Sequence, residues 1–160
     1  MSISMMGRAL VVGLILGATD SLAADDAYKL DCPVGTRQTG EPQEGISCRK
    51  PDTSNGRGVA HGPYVSFYAN GQKSAEGQFV DGFRSGSWTF YTQDGQVRSR
   101  IEFSVGNYHG RREEYFPNGR LRTVESYVHG KLDGLVKEFS SDGRLVKQSE
   151  YRNNRQVVAE

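Results

Sequence analysis

The chain has 160 residues, 36% of them hydrophobic and 24% charged, and its 20 bases and 19 acids leave a net charge of +1. That balance excludes a bundle of membrane-spanning helices and a polybasic nucleic-acid tail, and it describes one or two small units. Twenty glycines against 5 prolines, with no G-X-Y period, exclude collagen and ask for many tight turns.

The first residues divide into a short start ending in Arg8, an apolar run from Ala9 to Ala18, and a small-residue end, Ser21-Leu22-Ala23-Ala24. This is the layout of a secretory signal peptide over 1–23, with cleavage expected after Ala23. The apolar run is half the ~20 residues a spanning helix needs, so no transmembrane anchor is expected after cleavage. A lipid anchor would need a cysteine at the cut, and the first cysteine is Cys32. The expected location is therefore periplasmic or secreted. Losing Arg8 and Asp20 together leaves the mature chain near neutral, so long-range charge selects no partner.

Residues 24–61 read as a loop-rich N-terminal cap. Its Cys32 and Cys48 are the only 2 cysteines, and in an oxidising compartment they are expected to pair. The loop between them has few apolar side chains, so a bridge contributing about 3 kcal/mol replaces a core there. A redox or metal pair would need Cys-x-x-Cys or further ligands, which are absent.

From residue 62 the chain repeats itself. Gly62, Gly86, Gly110 and Gly134 are 24 apart, as are Gly71, Gly95, Gly119 and Gly143, each of the latter preceded by Asn or Asp. Aromatics recur as Phe67, Tyr91, Tyr115 and Phe139, and again as Phe79, Phe103, Tyr127 and Tyr151; a third glycine recurs as Gly82, Gly106 and Gly130, with Asn154 in the last copy. The copies are 62–85, 86–109, 110–133 and 134–157, without an insertion.

Each copy reads as a β-hairpin. Ala69-Asn70-Gly71-Gln72 and its three equivalents fit a three-residue connection, a type I turn closed by a left-handed glycine. The flanking strands, of about six and eight residues, join the next copy by a longer turn between the third glycine and the next first glycine. The expected fold is all-β: an elongated antiparallel sheet of four successive 24-residue hairpins behind a disulfide-linked segment.

Pairing Tyr68 with Gln72 sets Phe67 opposite Lys73, and likewise Tyr91 with Val97, Tyr115 with Leu121 and Phe139 with Leu145. A period of two then places Phe79, Phe103, Tyr127 and Tyr151 on the same face. The other face carries Tyr64, Tyr68, Trp88, Phe90 and Phe116 early, with Arg112, Glu114 and Glu138 at matching places later. Stacking between neighbouring hairpins explains most of these aromatics, because one hairpin is too small to be stable alone. The set Tyr64, Tyr68, Trp88, Phe90 and Phe116 is the candidate binding surface, since an open apolar patch signifies contact. Gly77, at a strand position where the other copies hold Ile101, Glu125 and Ser149, is expected to accept a side chain.

The order glycine, aromatic, Asn/Asp-Gly, aromatic, glycine resembles the MORN-type repeat, most closely the variant found in bacterial proteins labelled YwqK-like antitoxins. Tyr115-Phe116-Pro117-Asn118-Gly119-Arg120-Leu121 and Phe79-Val80-Asp81-Gly82 carry the likeness, which covers 62–157. The resemblance implies sheets of successive hairpins that bind proteins or, in some eukaryotic members, phospholipids. It implies no catalytic residue.

Sites of chemistry are few. His61, His109 and His129 each lie within one residue of a turn glycine; a His109–His129 metal site lacks a carboxylate or thiol to complete it. No serine has a Gly-x-Ser-x-Gly setting and no Gly-rich loop opens a helix. Arg98, Arg100, Arg111, Arg112, Arg120 and Arg122 form a central basic cluster among aromatics. An anionic glycan, lipid headgroup or nucleic acid would suit it, but Glu102, Glu113, Glu114 and Glu125 make a solvated strand face the simpler reading. The expectation is an exported, non-enzymatic module without catalytic residues, metal or cofactor. It binds a protein or cell-envelope component through its sheet, an anionic lipid or glycan being a further candidate and no specific nucleic acid. The alternative is a toxin-neutralising protein of the antitoxin or immunity kind, acting by sheet contact or strand addition.

Overall fold

The computed structural model describes residues 28–51, 56 and 58–158. The expected signal peptide and its cleavage site lie outside the described residues. Within them the chain forms one antiparallel sheet of 12 strands and no helix. The strands are β1 (Arg37–Thr39), β2 (Ile46–Lys50), β3 (Val59–Phe67), β4 (Lys73–Val80), β5 (Phe83–Tyr91) and β6 (Val97–Ser104). They continue as β7 (Asn107–Tyr115), β8 (Leu121–Val128), β9 (Lys131–Leu132), β10 (Gly134–Phe139), β11 (Leu145–Arg152) and β12 (Arg155–Val157). Neighbours in the chain are neighbours in the sheet, except that β9 and β10 both pair with β8.

Two kinds of turn build this order. Within each copy the three-residue connection forms as expected: Tyr68 N–H donates to Gln72 O at 2.8 Å and Gly71 N–H to Tyr68 O at 2.9 Å, and Gly71 has φ +81°. The connection between copies is tighter than the longer turn expected from the glycine spacing. Val80 pairs with Phe83, so Asp81 and Gly82 alone make the turn, with φ of 48° and 86°. Two successive positive φ values define a type I′ turn, whose twist suits a hairpin. Val105-Gly106, His129-Gly130 and Asn153-Asn154 repeat it, each with two positive φ values.

The first glycine of each copy has a different task. Glu76 pairs with Thr89 while Gln78 pairs with Ser85, so β5 carries two more residues than β4 over that stretch, around Gly86 at φ +66°. The same excess occurs between Ile101–Arg112 and Phe103–Tyr108, around Gly110. A second, smaller bulge closes every hairpin. Ser66 pairs with Ala75 but Phe67 with Lys73, which leaves Ser74 unpaired; Arg98, Arg122 and Val146 are its equivalents.

That bulge overturns the expected single aromatic stripe. An extra residue exchanges the two faces of the strand beyond it. The front face therefore carries Tyr64, Phe79, Trp88, Phe90, Ile101, Phe103, Tyr108 and Tyr127, linked by ring contacts from Tyr64–Phe79 at 5.5 Å to Tyr108–Tyr127 at 5.2 Å. Phe67, with Val65, lies on the rear face against Ile46, Tyr28 and Leu30. Phe103 thus packs beside Trp88, on the face from which it was expected to be absent.

The N-terminal cap carries two short strands, β1 and β2, between longer irregular stretches. β1 pairs with β2 and β2 with β3, which extends the array by a hairpin. Cys32 and Cys48 are joined, with Cα atoms 5.4 Å apart, and Cys48 is fully buried. Gly62 lies beneath this bridge, where a Cβ would press on Pro33 and Cys48. Gln38 ties the preceding segment to β1, accepting from Leu30 N–H at 2.7 Å and donating to Tyr28 O at 2.9 Å.

Candidate binding groove

The candidate surface set does not stay together. Trp88 is 0% exposed, held between Tyr64, Phe79, Phe90 and Phe103, with its indole N–H donating to Gln78 O at 3.1 Å. It is core and is withdrawn from the candidate surface. Tyr64 and Phe90 are half-buried supports of the same cluster. Tyr68 stands at a turn entry and donates its hydroxyl to Tyr91 O at 2.7 Å, tying one hairpin to the next. Phe116 occupies the equivalent entry two copies later and is half-buried. Gly77 is also unlike its expectation: a Cβ there would fall inside the indole of Trp88. The glycine makes room for the tryptophan.

Cations open a different site on the front face. Arg84, Arg98, Arg112 and Arg122, with Phe90 and Glu114, line a groove of about 500 Å³ across β5 to β8. Arg98 and Arg122 reach it because they are the bulge residues of their hairpins, and a bulge re-aims a side chain out of the regular alternation. Ser99 and Thr123 both pair with Glu114 from opposite sides, so the two arginines stand in line across β7. Arg84 lies with its guanidinium 4.6 Å from the Trp88 ring and 5.8 Å from Phe90, a cation–π placement that holds it flat over the core. Arg84, Arg98 and Arg122 are exposed.

Arg112 is the floor of the groove. Its η nitrogens donate to Glu114 and Glu125, and its Nε is buried without a partner among the described residues. Burial works against its charge, but the hydrogen bond it donates to Glu125 and the two carboxylate charges outweigh it, so its pKa is raised. Glu114 also faces Thr123, whose hydroxyl donates to it at 3.4 Å. The groove's carboxylate is therefore already committed to Arg112.

The rest of the expected basic cluster divides. Arg100 lies on the rear face over Tyr115, 5.6 Å from its ring, and Arg111 pairs with Glu113 at 2.7 Å. Arg120 belongs to a hairpin turn, its N–H donating to Asn118 Oδ1 at 3.1 Å. Arg84 was missed by sequence reading. Its series runs Arg84, Tyr108 and Leu132, and only the type I′ turn shows that this position faces Phe79 on the front.

Other polar groups serve the sheet. His61 and His109 accept, through Nδ1, the N–H of Asp81 and His129 at 3.3 Å each, and Asp133 accepts that of Asn153 at 3.0 Å. The imidazoles of His109 and His129 lie 4.9 Å apart, and among the described residues no group of three or more metal-ligating side chains gathers. On the rear face burial and the Glu76 carboxylate push the Tyr91 hydroxyl up to about 12. Burial and Glu113 raise Tyr115, and burial and Glu125 raise Tyr127.

An antiparallel sheet whose strands follow chain order, closed by two turn types at a fixed period, is a tandem-repeat architecture in which each unit leans on its neighbours. The pattern of the MORN repeat variant matches residues 60–81, 84–104, 108–129 and 132–153, more than half of the chain. The chain belongs to that family. No curated protein matches it at a significant level. Among solved structures it is similar to part of the Glycosylation Associate Protein complex from Streptococcus agalactiae, at 17% identity and a TM-score of 0.39 over 69% of this chain and 20% of that one. It is similar also to TarM, at 13% identity and a TM-score of 0.34 over 84% of this chain and 22% of that one. A complex of GtfA/B bound to UDP and GlcNAc gives 15% identity and a TM-score of 0.25, over 76% of this chain and 25% of that one. The chain spans about a fifth to a quarter of the length of these structures.

Proposed function

We propose that this protein is an exported, non-enzymatic module that binds a protein or cell-envelope component through the front face of its sheet. The observation that carries the reading is the groove across β5 to β8, where exposed arginines from adjacent copies converge around Arg112, beside Phe90 and Tyr108. Concave sites with a few convergent polar groups are the usual places for recognition. The Cys32–Cys48 bridge agrees with an oxidising compartment. Fractionation of cells carrying the full chain tests the export half: a mature form beginning at Ala24, outside the cytoplasm, is expected, and an unprocessed cytoplasmic chain overturns it. Envelope material retained by the mature protein, and lost when Arg84, Arg98 and Arg122 are all changed to Gln, is the expected sign of binding. Equal retention by wild type and variant overturns the groove.

A second reading is the toxin-neutralising one. It is favoured by β11, where Leu145 and Lys147 to Ser149 pair with β10 on one side and with no described strand on the other. An open edge of that kind accepts an added strand. A toxin encoded beside the gene, neutralised equally by wild type and groove variants, would favour this reading over the first.

A further inference from the structure

We propose that the front-face groove binds a linear acidic glycan carrying one anion per disaccharide, laid across the strands with successive anions at Arg98 and Arg122. The inference rests on the reading of the groove as a binding surface and names its ligand.

The geometry supplies a ruler. Arg98 and Arg122 are equivalent residues of successive copies, aligned through Glu114. They are separated by two strand spacings, about 10 Å. One disaccharide of an extended glycan has that length, so a chain lying along the sheet axis meets each arginine with the same group. A guanidinium fork matches a carboxylate or sulfate with two parallel hydrogen bonds, which a lysine could not supply. Among the described residues neither arginine forms an ion pair, whereas the groove's carboxylate, Glu114, is held by Arg112. Arg84, held flat over Trp88 and Phe90, adds a third fixed cation at one end of the row.

The same details argue against nucleic acid. Single strands are held by bases stacking on free aromatic faces. Here Trp88 is wholly buried and the guanidinium of Arg84 lies over its ring. The net charge of +1 also gives no broad field to collect polyanions from a distance.

The test is titration calorimetry of the mature, disulfide-bonded protein at low salt with hyaluronan fragments, whose anion is a carboxylate, and keratan sulfate fragments, whose anion is a sulfate. Binding of either series supports the proposal and identifies the anion. A tetrasaccharide, reaching both arginines, should bind at least about tenfold more tightly than a disaccharide. Arg98→Gln and Arg122→Gln should each weaken the tetrasaccharide by about fivefold, and Arg144→Gln, on an exposed turn, should leave it within about twofold. The substituted side chains are exposed, and unchanged circular dichroism confirms that the sheet survives. Absence of binding to both series overturns the proposal, as does binding indifferent to Arg98 and Arg122. Equal binding of oligodeoxythymidylate overturns it too, since that is general attraction for polyanions. Envelope capture that depends on the groove while both glycans fail leaves the binding reading standing and removes only the glycan.

Discussion

The first and second halves of the array share a backbone and differ in what they bury. Up to Phe103 the sheet has cores on both faces: Ile46, Val65 and Phe67 at the rear, and Trp88, Ile101 and Phe103 in front. Beyond Phe103 no described residue is buried. One series of equivalent positions shows the change: Trp88, then Arg112, then Val136. Where Trp88 fills space left by Gly77, Arg112 is held by Glu114 and Glu125, and Val136 faces Ser149. The hairpins of all copies are set by turn chemistry that needs no core. The early copies supply the cohesion on which the later ones lean.

The largest effect should come from removing that cohesion. Trp88→Ala is expected to cost about 3–5 kcal/mol, as large-to-small changes in a packed aromatic site do, whereas Val136→Ala should cost under about 1 kcal/mol. Urea denaturation of both variants checks this, and comparable losses would erase the distinction between the halves. Next is the bridge: Cys32→Ser with Cys48→Ser should lose about 3 kcal/mol. Hydrogen exchange should place the loosening in β1 to β3 and leave β8 to β12 as they were.

Gly77→Val should cost about 3 kcal/mol, because the side chain enters the indole of the fully buried Trp88. Gly119→Val, at φ +77° with nothing within 4 Å of its Cβ, should cost only about 1–2 kcal/mol of left-handed strain. If the turn variant loses more, Gly77 is not the seat of Trp88. A smaller loss, about 1 kcal/mol, is expected for Arg112→Ala, which leaves Glu114 and Glu125 facing each other on a partly exposed surface. Glu125→Gln in that background should recover part of it.

The smallest effect is alkaline. Tyr91, Tyr115 and Tyr127 all have raised values in the folded state, Tyr91 to about 12 against 10.0 for the ordinary side chain. The fold favours their protonated forms, so their contribution is complete below pH 10 and is lost as pH rises toward 12. Absorbance titration of tyrosinate, with denaturation midpoints over the same range, should show late ionisation and falling stability together. Midpoints that do not change above pH 10 would contradict it.

The turns within each copy were legible because their chemistry is local, whereas the two-residue turns between copies were not. Asn70-Gly71 and Pro117-Asn118-Gly119 carry the φ requirements of their connection, and the Cys32–Cys48 pairing followed from the expected compartment and the cysteine count. The faces were not legible, because they depend on an odd residue at each bulge. Ser74, Arg98, Arg122 and Val146 share no residue type that marks them. One uncounted residue moved Phe79 and Phe103 to the side of Trp88 and turned an expected surface tryptophan into core. The basic cluster was visible, yet its division between faces rested on the same parity. Arg84 became recognisable only with the type I′ turn in place.

The agreement between chain order and strand order has a consequence for how the protein comes into being. Each strand can be laid against one already in place, so the topology lets the sheet build from its N-terminal end without an early segment waiting for a late one. The disulfide and the buried members of both clusters all lie within the chain up to Phe103. The remaining copies then grow on a finished edge, like bricks added to a wall whose footing has set. Because no described residue beyond Phe103 is buried, the later hairpins are held less firmly than the early ones and should be the first to detach.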